Sequence, residues 1–247
     1  MSSIPVLNVN NVNNKIYLPL TNHTSRQSGY LLFLTMMYLT VMLCSGVLTH
    51  RIIQLGPFYT MAGTLVAPLW FFLSDLITEV YGYRIAKKIL WFGFFCQLIF
   101  ALICNLLIKI PSPDLLSKQM AYVTVLDSML RTCASAFAAY IIGGSLNIYF
   151  VSRWKILLSG KNFGLRSLGA TTIAELIFTI LAVFLIQIGK LPLSNILIII
   201  VVSYSLKVIF AFLLAFPANL IANFIKQHDQ IDVYDENINY NPFRIND

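Results

Sequence analysis

Six long runs of apolar residues leave this chain with one kind of fold open to it. An α-helix needs about 20 mostly apolar residues to cross the hydrocarbon core of a bilayer. The runs over 28–49, 57–80, 87–109, 122–150, 167–188 and 193–223 reach that length. A water-soluble globule is excluded by a lack of polar surface. Of 247 residues, 58% are hydrophobic and 11% charged, whereas a soluble domain carries roughly twice that charged fraction. The sequence therefore predicts an all-α membrane protein, a polytopic bundle of about six transmembrane helices embedded in the lipid bilayer. The last run is the longest and holds Pro217, which predicts either one tilted helix or a bend there.

The runs form one transmembrane domain over 28–224. An Asn-rich head, 1–27, precedes it and is expected to be disordered; a C-terminal tail, 225–247, follows. The head shows no cleavable signal pattern. An even number of spans puts both tails on one side. With the tails inside, the inner segments hold Lys15, Arg26, Arg84, Lys87, Lys88, Arg153, Lys155, Lys161, Arg166, Lys226 and Arg244. The outer loops hold only Arg51, Lys109, Lys118 and Lys190. Cytoplasmic loops collect Lys and Arg, so both termini are expected in the cytoplasm. The same rule accounts for the net charge of +7, and no nucleic-acid partner is expected.

Cys44, Cys96, Cys104 and Cys133 sit inside apolar runs and read as small packing residues. His23, His50 and His228 are far apart in the tails and loops. Neither set has metal-ligand spacing, and no cofactor is called for.

Ionisable residues within a span are costly and therefore candidates for function. Asp75 and Glu79, one helical turn apart, share a face of the second run with Phe71, Pro68, Ala67, Thr64 and Gly63. Their bland reading is a solvated helix end partnered by Arg84 and Lys87. Arg131 lies about nine residues into the fourth run, well inside the bilayer at a 1.5 Å rise, and its bland reading is a pair with Asp127. Small residues surround it (Cys133 to Ala136, Ala138 and Ala139, then Gly143, Gly144 and Ser145), giving either tight packing or room for a ligand. Asn147 adds a polar group further along. Glu175 lies in the fifth run with Thr171, Thr172 and Thr179 on or beside its face. Lys207 lies near the middle of the sixth, about 20 Å from either interface, too far to snorkel. It should face the interior and find an anion in Glu175 or Asp75. These charges are expected to converge on one polar cavity.

The segment Ser74-Asp75-Leu76-Ile77-Thr78-Glu79-Val80-Tyr81-Gly82-Tyr83-Arg84, followed by Ala86-Lys87-Lys88, resembles the signature of the queuosine precursor transporter family, also described as vitamin uptake transporters. Weaker likenesses are Arg131, Glu175 after Arg166-Ser167-Leu168-Gly169, Lys207, and a tail with Asp232-Val233-Tyr234-Asp235 and Asn241-Pro242-Phe243. The resemblance implies import of a 7-deazaguanine base, preQ0 or preQ1, across the bacterial inner membrane for queuosine salvage. A carboxylate (Asp75, Glu79 or Glu175) would accept the N–H donors of such a base. Arg131 or Asn147 would donate to its carbonyl, and Phe71, Tyr204 or Phe210 would stack on its ring.

Two other readings fit the same residues. The chain can be the substrate-binding component of a multi-subunit, ATP-driven vitamin importer; it has no P-loop pattern, so a separate ATPase module would then hydrolyse the nucleotide. It can also be a membrane-embedded enzyme using Asp75 and Glu79 as acid and base, although no nucleophile elbow or metal set accompanies them. An assembly factor without transport activity is a further alternative. The residues fix neither a homo-oligomer nor an ATPase partner.

Overall fold

A computed structural model describes residues 29–110, 119–236 and 238–244. The Asn-rich head lies outside the described residues. The elements run α1 (Gly29–Leu48), β1 (Ile52–Leu55), β2 (Phe58–Met61), α2 (Gly63–Tyr81), α3 (Tyr83–Leu107), α4 (Gln119–Asp127), α5 (Met129–Leu157), α6 (Phe163–Gln187) and α7 (Leu193–Asp229). Among the described residues, six helical segments are long and apolar enough to span a membrane, α4 and α5 together counting as one. Large apolar side chains cover the outside, including Leu106, Phe216 and Leu220. That exterior suits lipid and not water.

One end of the bundle carries the β1–β2 hairpin, and the other carries the C-terminal segment. The second run was expected to be helical from residue 57. Instead Phe58–Met61 pairs antiparallel with Ile52–Leu55 across a Gly56-Pro57 loop, where Gly56 takes a φ of 62°. The helix begins only at Gly63. A Cβ at Gly63 would lie 2.6 Å from the Ser45 carbonyl oxygen, so this position lets α1 and α2 approach closely.

The fourth run, expected to be continuous over 122–150, is broken at Ser128 into α4 and α5. The small residues of α5 serve packing. A Cβ on Gly143 would stand 2.8 Å from Cβ of Phe178, so the backbones of α5 and α6 nearly touch there. Pro217 is accommodated within a continuous α7, which extends to Asp229, beyond the expected end at 223. Of the cysteines, Cys133 is buried among Phe94, Ala101 and Met129, whereas Cys44 and Cys96 lie on exposed faces and not in helix contacts.

α2 is the central helix, with every residue from Ser74 to Tyr81 buried. It ends at Gly82, which adopts φ 85°, ψ 170°, a conformation essentially restricted to glycine. A Cβ there would also come within 2.8 Å of Val233 and 2.9 Å of Asp235. The glycine of the Glu-Val-Tyr-Gly motif thus does two things: it turns the chain straight into α3, and it lets the C-terminal segment lie against the turn.

Candidate functional site

Four polar layers run through the apolar bundle from the C-terminal end toward the hairpin. They exist because polar residues recur every four positions on single helix faces. Asp75 and Glu79 share a face of α2, while Ser167, Thr171, Glu175 and Thr179 form a file along α6.

The first layer is an ion cluster. Glu79 is fully buried, and both its oxygens accept from Arg166, at 2.9 and 3.1 Å, in a bidentate pair. Lys226 of α7 donates to the same carboxylate at 2.6 Å and reaches Asp232 at 3.0 Å. Lys155 of α5 donates to Asp232 at 2.6 Å and to the Glu79 carbonyl. The solvated-end reading of Glu79 therefore does not hold: its partners are Arg166 and Lys226, not Arg84 or Lys87.

Residues 230–236 and 238–244 form a strap over this cluster. Asp235, buried, accepts from the Tyr83 backbone N–H at 2.7 Å and from Ser152 Oγ at 2.6 Å. It thereby supplies the unsatisfied first turn of α3 with an acidic cap from far along the chain. Val233 N–H donates to the Val80 carbonyl at 3.2 Å. Tyr83 donates through its hydroxyl to the Tyr240 carbonyl, Trp91 to that of Pro242, and Lys87 to those of Asn241 and Arg244. Within the strap, burial alone would raise the Asp232 carboxyl, but Lys155 and then Lys226 outweigh it and hold the group below its ordinary value. The tail that reads as a simple cytoplasmic extension is thus a closing element of the bundle.

The second layer surrounds Asp75, which is fully buried. Its carboxylate accepts from Asn147 Nδ2 of α5 and from Ser167 Oγ and Thr171 Oγ1 of α6, the last at 2.9 Å. All three donors are neutral. In the third layer Lys207 donates to Glu175 Oε2 at 2.7 Å and to Thr179 Oγ1 at 3.1 Å. Lys207 does face the interior, and Glu175 is the anion it meets. Glu175 Oε1 is buried without a hydrogen-bond partner among the described residues, a costly arrangement for a carboxylate oxygen. The fourth layer joins Thr60, Thr64 and Ser203, with Thr60 Oγ1 2.8 Å from Ser203 Oγ.

A cavity of about 70 Å³ occupies the hairpin half of the bundle. It extends from Thr49 and Gly63 at the hairpin end to Lys207 and Thr179 at mid-depth, with Trp70, Tyr140 and Phe178 on its wall. Phe71, Tyr204 and Phe210, the rings expected to stack on a ligand, do not line it. The charges also do not converge on one cavity as expected. They separate by level: of the charged layers only the third borders the space, through Lys207 and Thr179, while the uncharged fourth lines it through Thr64 and Ser203.

Arg131 stands apart from all four layers. The break at Ser128 places it in the first turn of α5, exposed, where it donates to the carbonyls of Leu185 and Ile188 at the end of α6. It satisfies carbonyls that a helix terminus leaves open, and no ion pair to Asp127 forms among the described residues. Sequence reading missed Arg166 and Lys226 as site residues because both were counted as loop charges. The four-residue spacing from Ser167 to Thr179 is the signal that would have marked the α6 face.

Comparison with known proteins agrees with this architecture. The family model described as "Putative vitamin uptake transporter" matches residues 61–222, from the end of β2 to α7. A curated relative from Bacillus subtilis (strain 168), named "Probable queuosine precursor transporter", is 25% identical over 167 residues, covering 66% of this chain and 72% of the relative. No solved structure matches the chain significantly. Transport of a small molecule, and not catalysis, is what such kinship suggests. The match spans well over half of the sequence and all but the first of the membrane helices: the chain belongs to the vitamin uptake transporter family of multi-pass membrane proteins.

Proposed function

We propose that this protein imports a queuosine precursor, a 7-deazaguanine base such as preQ0 or preQ1, across the bacterial inner membrane by alternating access. The observation that carries this reading is the asymmetry of the bundle. A cavity occupies the hairpin half, while the opposite half is closed by the Glu79–Arg166–Lys226 cluster and its strap. That is the form of a carrier accessible from one side. The terminal face holds Arg84, Lys88, Arg153 and Lys161 besides the cluster, against Arg51, Lys109 and Lys190 at the hairpin face. This bias supports cytoplasmic termini and a cavity turned to the outside.

The third layer suits a guanine-like edge. Lys207 and Thr179 line the cavity and can donate to a ring carbonyl; Glu175 stands behind them, and its Oε1, without a partner among the described residues, is the acceptor nearest in chemistry to a ring N–H or exocyclic amine. Trp70, Tyr140 and Phe178 offer faces for a planar heterocycle. Asp75, Asn147 and Glu79 then act below the ligand, on the path and its closure. The test is expression of this chain alone in a bacterial strain unable to make the precursor. Queuosine should return to tRNA when preQ1 or preQ0 is supplied, and Glu175→Gln and Lys207→Met should abolish the rescue while still inserting. Failure of the unmodified chain to rescue refutes the reading. Rescue only alongside a co-purifying ATPase assigns the chain instead to a multi-subunit importer.

A further inference from the structure

We propose that Asp75 is a proton-binding site, and that its protonation and release couple this carrier to the proton gradient. The other acidic side chains of the polar layers each have a cation: Glu79 has Arg166 and Lys226, Asp232 has Lys155 and Lys226, and Glu175 has Lys207. Asp75, fully buried in the central helix, receives among the described residues only the neutral donors Asn147, Ser167 and Thr171. An ionised carboxylate without a counter-charge costs several kcal/mol at such a depth, and a bound proton removes that cost. Three converging donors offset part of it when the proton leaves. Both forms are therefore accessible, which a permanent ion pair would prevent.

The charges around Asp75 are otherwise engaged. On α2, Glu79 is one turn away and acts on Asp75 as a like charge. From α6 come Arg166 and Glu175, from α5 Lys155, and from α7 Lys207 and Lys226, each bound in the pairs above. α1 contributes no charged residue, and Lys87 of α3 donates to strap carbonyls. A metal ion in place of the proton would have to push apart oxygens that are in direct hydrogen-bond contact, so the arrangement favours a proton. Its effect on the fold is direct. Ionised, Asp75 ties α2 to both α5 and α6; protonated, it loses the charge that holds three donors. The seam between α2 and α6 keeps its Glu79–Arg166 ion pair in both states, so the change on protonation is confined to the Asp75 level.

Two measurements on the purified full chain separate this inference from the substrate reading, on which only the second depends. Infrared difference spectra taken across a pH titration should show a carboxylic acid C=O band that is absent in Asp75→Asn. In Thr171→Val, which removes one donor to the carboxylate, the band should titrate about one pH unit higher. In liposomes, labelled preQ1 should accumulate under an imposed pH gradient. Asp75→Asn should lose that accumulation yet still exchange preQ1 across the membrane. An unchanged band in Asp75→Asn, an unmoved midpoint in Thr171→Val, or sodium-driven, pH-independent accumulation overturns the proposal. If Asp75→Asn fails to insert, Thr171→Val decides alone. A titrating Asp75 band with no movement of preQ1 in the unmodified chain sustains the proton site and refutes the substrate.

Discussion

Replacing Glu79 by Gln isolates what the ion cluster contributes. The substitution keeps the shape of the side chain but removes a charge that is fully buried and answered by two cations. Arg166 is 2% exposed and lies 2.9 and 3.1 Å from the two carboxylate oxygens; Lys226 lies at 2.6 Å. Losing one partner of a buried pair costs about 3–5 kcal/mol, because the remaining charge stays buried without compensation. Arg166 keeps its bonds to the Lys161, Val151 and Gly160 carbonyls, and Lys226 keeps Asp232, which places the expected loss near the lower end, about 3 kcal/mol. The assay is reversible unfolding of the detergent-solubilised protein, followed by tryptophan fluorescence, for the single variants and for Glu79→Gln combined with Arg166→Gln. The double variant should be less destabilised than the sum of the two singles by about 1–3 kcal/mol. A Glu79→Gln protein within about 0.5 kcal/mol of the parent, the range of ordinary surface substitutions, would refute the cluster as a structural closure.

Three further outcomes test other levels. Because Asp232 titrates below its ordinary value, the stability it lends the strap is present above the unfolded-state pKa and is lost as pH falls through the folded-state value. Proteolytic nicking of residues 230–244 should therefore rise with acidification in the parent, and already be high and flatter with pH in Asp232→Asn. Gly143→Ala should destabilise by about 1–3 kcal/mol despite the better helix propensity of alanine, since its Cβ would stand 2.8 Å from Cβ of Phe178; thermal unfolding of the solubilised protein reads this. Arg131→Ala should cost no more than about 1 kcal/mol and leave rescue of tRNA modification near the parental level, in contrast to Lys207→Met, because its donors serve only the exposed end of α6.

Much of the architecture was legible without coordinates. Hydropathy alone determined the number of spans, since backbone polar groups in lipid must be satisfied within each helix. The interior position of Lys207 followed from the absence of any route to an interface, and the shared face of Asp75 and Glu79 from their spacing. These are properties of a segment and its solvent. What only the tertiary structure decided is which charge meets which. Arg166 reaches Glu79 from 87 positions along the chain, and Asp235 caps α3 from 152 positions away. Among the carboxylates of the four polar layers, Asp75 is the one left without a cation. Such pairings depend on how each helix is rotated about its axis and how closely its glycines let a neighbour approach, neither of which a local pattern encodes. The expected single cavity became four levels for the same reason: similar charges on different helices are sorted by depth only when the helices pack.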